Sequence, residues 1–172
     1  RVENLVSPLG VGTSEPRFSW RVDAPAASQD SYRILVASSP ELLAAGTPDL
    51  WDSGTVTSTA QQGIRYAGKP LRPATRAWWT VCATTGKEEH RPEHAAEFGV
   101  GLLAESQWGG RWMGLETPRE GDARGTVHTV LPARYMRKEF SIGTTPVRRA
   151  TAYISGLGNY RLYVNGAEIG SG

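Results

Sequence analysis

The stretch AWWTVCA at residues 77–83 decides the fold: Ala77, Trp79, Val81 and Ala83 fall on one side of an extended chain, Trp78, Thr80 and Cys82 on the other. Successive side chains of a strand point to opposite faces, so this period of two marks a strand with a buried side. Neighbouring stretches repeat the pattern. YRILVA at 32–37 aligns Tyr32, Ile34 and Val36, and PRFSWRV at 16–22 aligns Phe18, Trp20 and Val22 against Arg17, Ser19 and Arg21. GIRY contributes Ile64 and Tyr66, AAEFGVG around Phe98 reads as the closing strand, and a first strand is expected near Asn4 to Leu9. About seven short strands over residues 1–100 is the size of an immunoglobulin-like sandwich. One interruption is helical: Ser39 as cap, Pro40 in the first turn and Gly46 as the stop predict a short helix inside a connection. LWDSG closes in a turn at Ser53-Gly54.

The texture changes after Val100. Residues 101–133 are rich in Gly, Pro and charge and read as a connection. From 134 to 172 three strands are expected, RYMRKEFSI, ATAYISG and YRLYVNG, the last entering a tight Asn165-Gly166 turn and the return limb AEIG. So few strands cannot close a two-layer sandwich. Leaving Leu162, Val164 and Ile169 uncovered forfeits roughly 1.5 to 3 kcal/mol for each side chain. An incomplete second domain with an unpaired edge and an apolar face either exposed or covered by another chain is therefore the expectation.

Composition narrows the function. The 172 residues are 39% hydrophobic and 21% charged, ordinary for a globular protein. No apolar run reaches the roughly 20 residues of a transmembrane helix, so no membrane partner is expected. The net charge is +2 and the basic residues are scattered, apart from Arg148-Arg149. A nucleic-acid surface needs them clustered, so none is expected. The single cysteine, Cys82, excludes an internal disulfide. Residue 1 is Arg and RVENLVSPLG lacks a signal-peptide pattern, which leaves localisation open between cytoplasm and secretion.

No constellation for catalysis, cofactor binding or metal binding emerges. His90 and His94 with Glu89 and Glu93 mimic a metal pair, but Pro92 separates them and no third ligand follows. They read, with Glu88 and Glu97, as a solvated hairpin loop, too mobile to hold two carboxyl groups at the roughly 5 to 9.5 Å glycoside hydrolysis needs. The glycine pairs at 10/12, 99/101 and 156/158 do not lie between a strand and a helix and are turn glycines. Serines near His128 lack an acidic partner. Cys82, opposite Trp79 and Val81, reads as a structural thiol. Trp51, Trp78, Trp108 and Trp112 are candidate sugar platforms, but aromatics are more often the ordinary filling of sandwich cores and domain interfaces.

RVENLVSPLGV with PRFSW, SYRILVASSPELL, LWDSG, YAGKPL and TRAWWTV resembles the N-terminal fibronectin type III-like domain of bacterial α-L-rhamnosidases. GLLAESQWGGRWMG, MRKEFSI and ATAYISGLGNYRLYVNGAEIG resemble the start of the jelly-roll domain that follows it. The resemblance implies an all-β chain: a fibronectin type III-like (immunoglobulin-like) sandwich over 1–100, a connection over 101–133, and the first strands of a truncated jelly roll over 134–172. It implies a parent enzyme in which an (α/α)6 barrel removes terminal non-reducing L-rhamnose from glycosides with inversion, through a carboxylic acid and a carboxylate base. The partners it implies are the remaining domains of that enzyme and, for the whole protein, a rhamnosyl glycoside. Some relatives bind rhamnose with calcium on the jelly roll; no calcium ligand carries over, and no residue of this chain matches the catalytic motif.

Two departures stand out. Where the fibronectin pattern has L-x-P-x-T-x-Y, Leu71 to Ala77 replaces the corner tyrosine by Ala77, with Trp78 expected to fill part of the space. The loop GKEEHRPEHAAEF lacks the tryptophan and serine-rich run common in the family. Three functions stay open on the sequence: an inactive scaffold piece of a rhamnosidase, a rhamnose-binding module, and a protein-binding module, since fold alone does not fix function.

Overall fold

A computed structural model describes residues 1–22, 28–114 and 133–171. Most of the expected connection, including His128, lies outside them, as does Gly172. The chain divides into two units, Arg1–Gly114 and Leu115–Gly172.

In the first unit AWWTVCA lies at the centre of the longest strand. The elements there are β1 (Arg17–Phe18), β2 (Ser31–Ala37), α1 (Pro40–Ala44), β3 (Trp51–Asp52), β4 (Val56–Thr57), β5 (Ile64–Arg65), β6 (Arg76–Thr85), β7 (Glu88–His90) and β8 (Ala96–Gly99). β2 and β6 pair antiparallel, with Tyr32 opposite Ala83, Ile34 opposite Val81 and Val36 opposite Trp79. β3 and β4 extend this sheet along β2, while β7 and β8 extend it along β6. Among the described residues a second, smaller sheet joins β1 to β5 in this unit. Phe18 from the small sheet packs on Trp79 of the large one, ring centroids 4.7 Å apart, and meets Phe98 edge-on at 5.8 Å. Phe18, Ile34, Val36, Ala77, Phe98 and Val100 are fully buried between the layers. Each large one stabilises the fold by about 1.5 to 3 kcal/mol.

The outer face of the large sheet is not uniformly wet. At one end α1 lays Leu43 over Leu35 and Ala37, with Leu42, Trp78 and Ala95 around them. The sequence signals for α1 hold: the Leu42 N–H donates to Ser39 Oγ at 3.4 Å, and Gly46 follows at φ +70°.

Four expectations change. Residues 4–9 form no strand. Val2 and Leu5 exchange backbone hydrogen bonds of 3.0 and 2.9 Å around Glu3 and Asn4, both at positive φ, so the chain starts in a tight turn. Pro8, which has no N–H to give a ladder, comes next. The loop 86–95 is shorter than expected, because Glu88–His90 pairs with β6 as β7; Gly86 at φ +61° allows the tight reversal. Trp78 does not fill the space beside Ala77: strand alternation sends it to the α1 side, where Arg76 lies 4.9 Å from its ring centroid. The expected strands around 134–142 and 150–156 carry no ladder. An alternating segment becomes a strand only when a neighbour takes up its backbone groups.

The second unit, as described, is built on one hairpin. β9 (Arg161–Val164) and β10 (Ala167–Ser171) pair antiparallel. Asn165 at φ 49° and Gly166 at φ 83° make a two-residue turn of the kind that suits strand twist. Ile169 is the extra residue of a bulge between Glu168 and Gly170. Val164 and Ile169 are exposed, as the sequence led one to expect.

Candidate functional site

The uncovered part of the outer sheet face is a concavity that carries a mixed set of polar groups. It is a groove of about 240 Å³. Strand pairing builds it: Arg33 sits opposite Cys82 on β2 and β6, and Glu89 opposite Thr84 on β6 and β7, so their side chains share a face. Leu35, Gly46, Thr55 and Arg91 complete the lining.

Its groups point to structure more than to chemistry. Arg33 donates from Nε to Asp52 Oδ1 at 2.9 Å and from a terminal nitrogen to Oδ2 at 2.6 Å. That two-pronged bond, followed by the Gly54 N–H, holds the Asp52 carboxyl below its ordinary range. Ser53 Oγ accepts from the Ile34 N–H at 2.8 Å and donates to the Gly54 carbonyl at 2.8 Å, and Gly54 turns the chain at φ +62°. The LWDSG motif is therefore a clasp that fastens the β3 turn to β2. Burial, reinforced by Glu89, raises the Cys82 thiol above its ordinary value against the opposing pull of Arg91 and Arg33. A nucleophile needs the reverse.

The other singled-out residues are dispersed. Glu97 pairs with Arg76 on adjacent strands β8 and β6. His90 Nε2 lies 2.6 Å from Thr85 Oγ1 across the β6–β7 turn, whereas His94 is exposed, with Glu93 at 3.9 Å. Glu88 and Glu89 are strand residues and Glu93 is a loop residue. Among the described residues no three His, Cys, Asp or Glu side chains group as a metal set. No helix among them is long and apolar enough to cross a membrane.

The tryptophans separate into two kinds. Trp51 leans on Phe18 and, edge-on at 5.2 Å, on Tyr66, and Trp78 packs beneath α1, so both are structural. Trp108 and Trp112 are 43% and 71% exposed and remain available surfaces. Sequence reasoning missed Gln29. Its side chain is buried, accepts from Trp20 Nε1 at 2.8 Å and donates to the Ser58 and Ala60 carbonyls, a satisfied polar staple with no local pattern to betray it.

Comparison with known proteins finds relatives much longer than this chain. An α-L-rhamnosidase of Formosa agariphila is 34% identical over 175 residues, covering 97% of this chain and 18% of its own length. One of Streptomyces avermitilis is 35% identical over 188 residues, with 98% and 18% covered. The solved α-L-rhamnosidase from Dictyoglumus thermophilum superposes with a TM-score of 0.59 at 32% identity, over 63% of this chain and 12% of that one. The Streptomyces avermitilis α-L-rhamnosidase complexed with L-rhamnose gives 0.55 at 37% identity, over 63% and 11%. The chain thus spans about a fifth of the length of these relatives. Residues 1–104 match the family described as the Rha78A-like, N-terminal immunoglobulin domain, and it is to this family that the chain belongs.

Proposed function

We propose that this chain is the leading, non-catalytic part of an α-L-rhamnosidase, an inverting glycoside hydrolase that removes terminal non-reducing L-rhamnose. Its role there is to scaffold the domains that follow. One observation carries the reading: 97% of the chain aligns with a rhamnosidase of which it covers only 18%. The groove supports it, since its Arg33 is bound to Asp52 and burial raises its Cys82 thiol, the opposite of what a nucleophile needs. In this reading residues 1–100 are the sandwich, 101–133 the connection and 134–172 the opening strands of a jelly roll, whose remaining strands cover the hairpin's apolar side.

The test has two arms. The 172-residue chain releases nothing from an aryl α-L-rhamnoside, whereas the product of the reading frame extended past Gly172 releases rhamnose with inverted anomeric configuration. Hydrolysis by the short chain, or an extended frame without rhamnosidase activity, overturns the proposal. Exposed Trp108 and Trp112 favour one second reading, a rhamnose-binding surface. Tryptophan fluorescence unchanged up to millimolar L-rhamnose eliminates it.

A further inference from the structure

We infer that Leu5, Val6 and Leu9 form a docking surface for a later domain of the same polypeptide, an inference that rests on the reading above of a longer parent protein. The three side chains are 55%, 75% and 90% exposed, while Val2 and Val11 on either side of them are buried. LVSPL, residues 5–9, carries no charge. Single exposed leucines are ordinary; three large aliphatics in five residues mark a surface built to be covered.

The stretch is not a loose arm. Glu3 donates its N–H to the Arg17 carbonyl at 2.9 Å, and the Arg17 N–H returns a bond to Glu3 Oε1 at 2.7 Å. Further along, the Gly99 N–H donates to the Pro8 carbonyl and the Val11 N–H to the Gly99 carbonyl, both at 2.8 Å. The Leu9 backbone lies so close over Gly99 that a Cβ there would collide with it. Glu3, Asn4 and Ser7 hold positive φ. Such a conformation persists only where surrounding contacts impose it. The apolar side chains are thus displayed on a fixed backbone, which lowers the ordering cost of binding.

The occupant follows from where the chain goes. The Gly101 N–H donates to the Val11 carbonyl at 2.9 Å, so the chain passes this patch as it comes off the last strand of the sandwich. Whatever follows is tethered there at high effective concentration. The relatives are more than five times longer than the span this chain covers, which supplies that later polypeptide. The uncharged patch selects an apolar face of it.

Leu9→Cys and, as a control, Gly12→Cys are placed in a Cys82→Ser background of the extended protein and labelled with a maleimide, read by peptide mass spectrometry. Gly12 has open space around it. Leu9→Cys should react at least tenfold more slowly than Gly12→Cys in the extended protein and equally fast in the 172-residue chain. Equal rates in the extended protein overturn the inference. So does protection in the short chain that grows with its concentration, which would assign the patch to a second copy. Rhamnosidase activity of the extended protein is measured on the same samples. An active enzyme with a freely reactive Leu9→Cys refutes the docking surface alone, and a protected one without activity refutes the functional reading alone. As a second measurement, Leu9→Asp should leave the short chain's denaturation midpoint unchanged and lower that of the extended protein; no change in either overturns the surface.

Discussion

Tyr66 reaches Lys69: its buried hydroxyl donates to the Lys69 carbonyl oxygen at 2.7 Å, with the Leu50 carbonyl also close, at 3.2 Å. The sandwich has no tyrosine at Ala77, where the fibronectin pattern places one. Tyr66 gives the core a different tyrosine-to-backbone bond, one that closes the loop after β5 beside the approach to β3. Removing a buried hydrogen bond of this kind costs about 0.5 to 1.5 kcal/mol. Tyr66→Phe should therefore lower the unfolding free energy measured in urea by that amount, through a lower midpoint with an unchanged slope. A midpoint equal to that of the parent chain would show that the bond contributes nothing.

The same phenol sets an alkaline limit. Burial, assisted by the negative charge of Asp49, raises its pKa to about 12 from the ordinary 10.0. The folded state holds this proton more tightly than the unfolded one, so the stabilisation is complete below pH 10 and is lost as pH rises through about 12. Denaturation followed across that window should show stability falling more steeply for the parent chain than for Tyr66→Phe. Parallel curves would rule Tyr66 out as the source.

Gly99 and Gly12 offer a matched pair of substitutions. A methyl group on Gly99 meets the Leu9 backbone, whereas one on Gly12 meets nothing within 4 Å. Forced displacement in a packed site costs typically 1 to 3 kcal/mol, so Gly99→Ala should destabilise by about that much. It should also expose the 8–11 segment to protease. Gly12→Ala should change neither, and equal effects of the two would contradict the close approach.

Much of the sandwich was legible because alternation reports burial directly. Tyr32, Ile34, Val36, Ala77, Trp79 and Val81 lie inward as their spacing demands. Ser39, Pro40 and Gly46 bound α1 for local reasons that sequence alone carries. What escaped depended on partners distant in the chain. Glu88 to His90 become a strand only through pairing with β6, and Gln29 is buried only because residues 58 and 60 bring their carbonyls to it. At the groove the residue types were visible, but not their pairing: Arg33 and Asp52 are 19 positions apart, and their bond reveals LWDSG as a clasp.

That clasp predicts an acid response. The bonds from Arg33, foremost, and from the Gly54 N–H lower the Asp52 pKa below the ordinary 3.8. A depressed carboxyl stabilises the fold above its unfolded pKa and loses that contribution as pH falls through the folded one. The pair is partly exposed, so screening limits it to about 1 kcal/mol or less. Asp52→Asn should thus be less stable than the parent chain near neutrality, with the difference shrinking below about pH 4. A difference that persisted undiminished in acid would assign the loss to geometry rather than charge.

Trp79 supplies the last test, because its position combines a large gain with a local cost. The ring packs on Phe18 in the middle of the core, yet its buried Nε1 has no hydrogen-bond partner among the described residues. An unpaired buried donor costs about 1 to 3 kcal/mol, which Trp79→Phe removes while giving up part of the indole's packing. The two effects oppose, so Trp79→Phe should shift stability by no more than about 1 kcal/mol. Trp79→Ala removes donor and packing together and leaves a cavity, which costs about 3 to 5 kcal/mol. If Trp79→Phe proved nearly as damaging as Trp79→Ala in urea denaturation, the indole N–H would have to be satisfied in solution, and the core around Phe18 would be arranged differently.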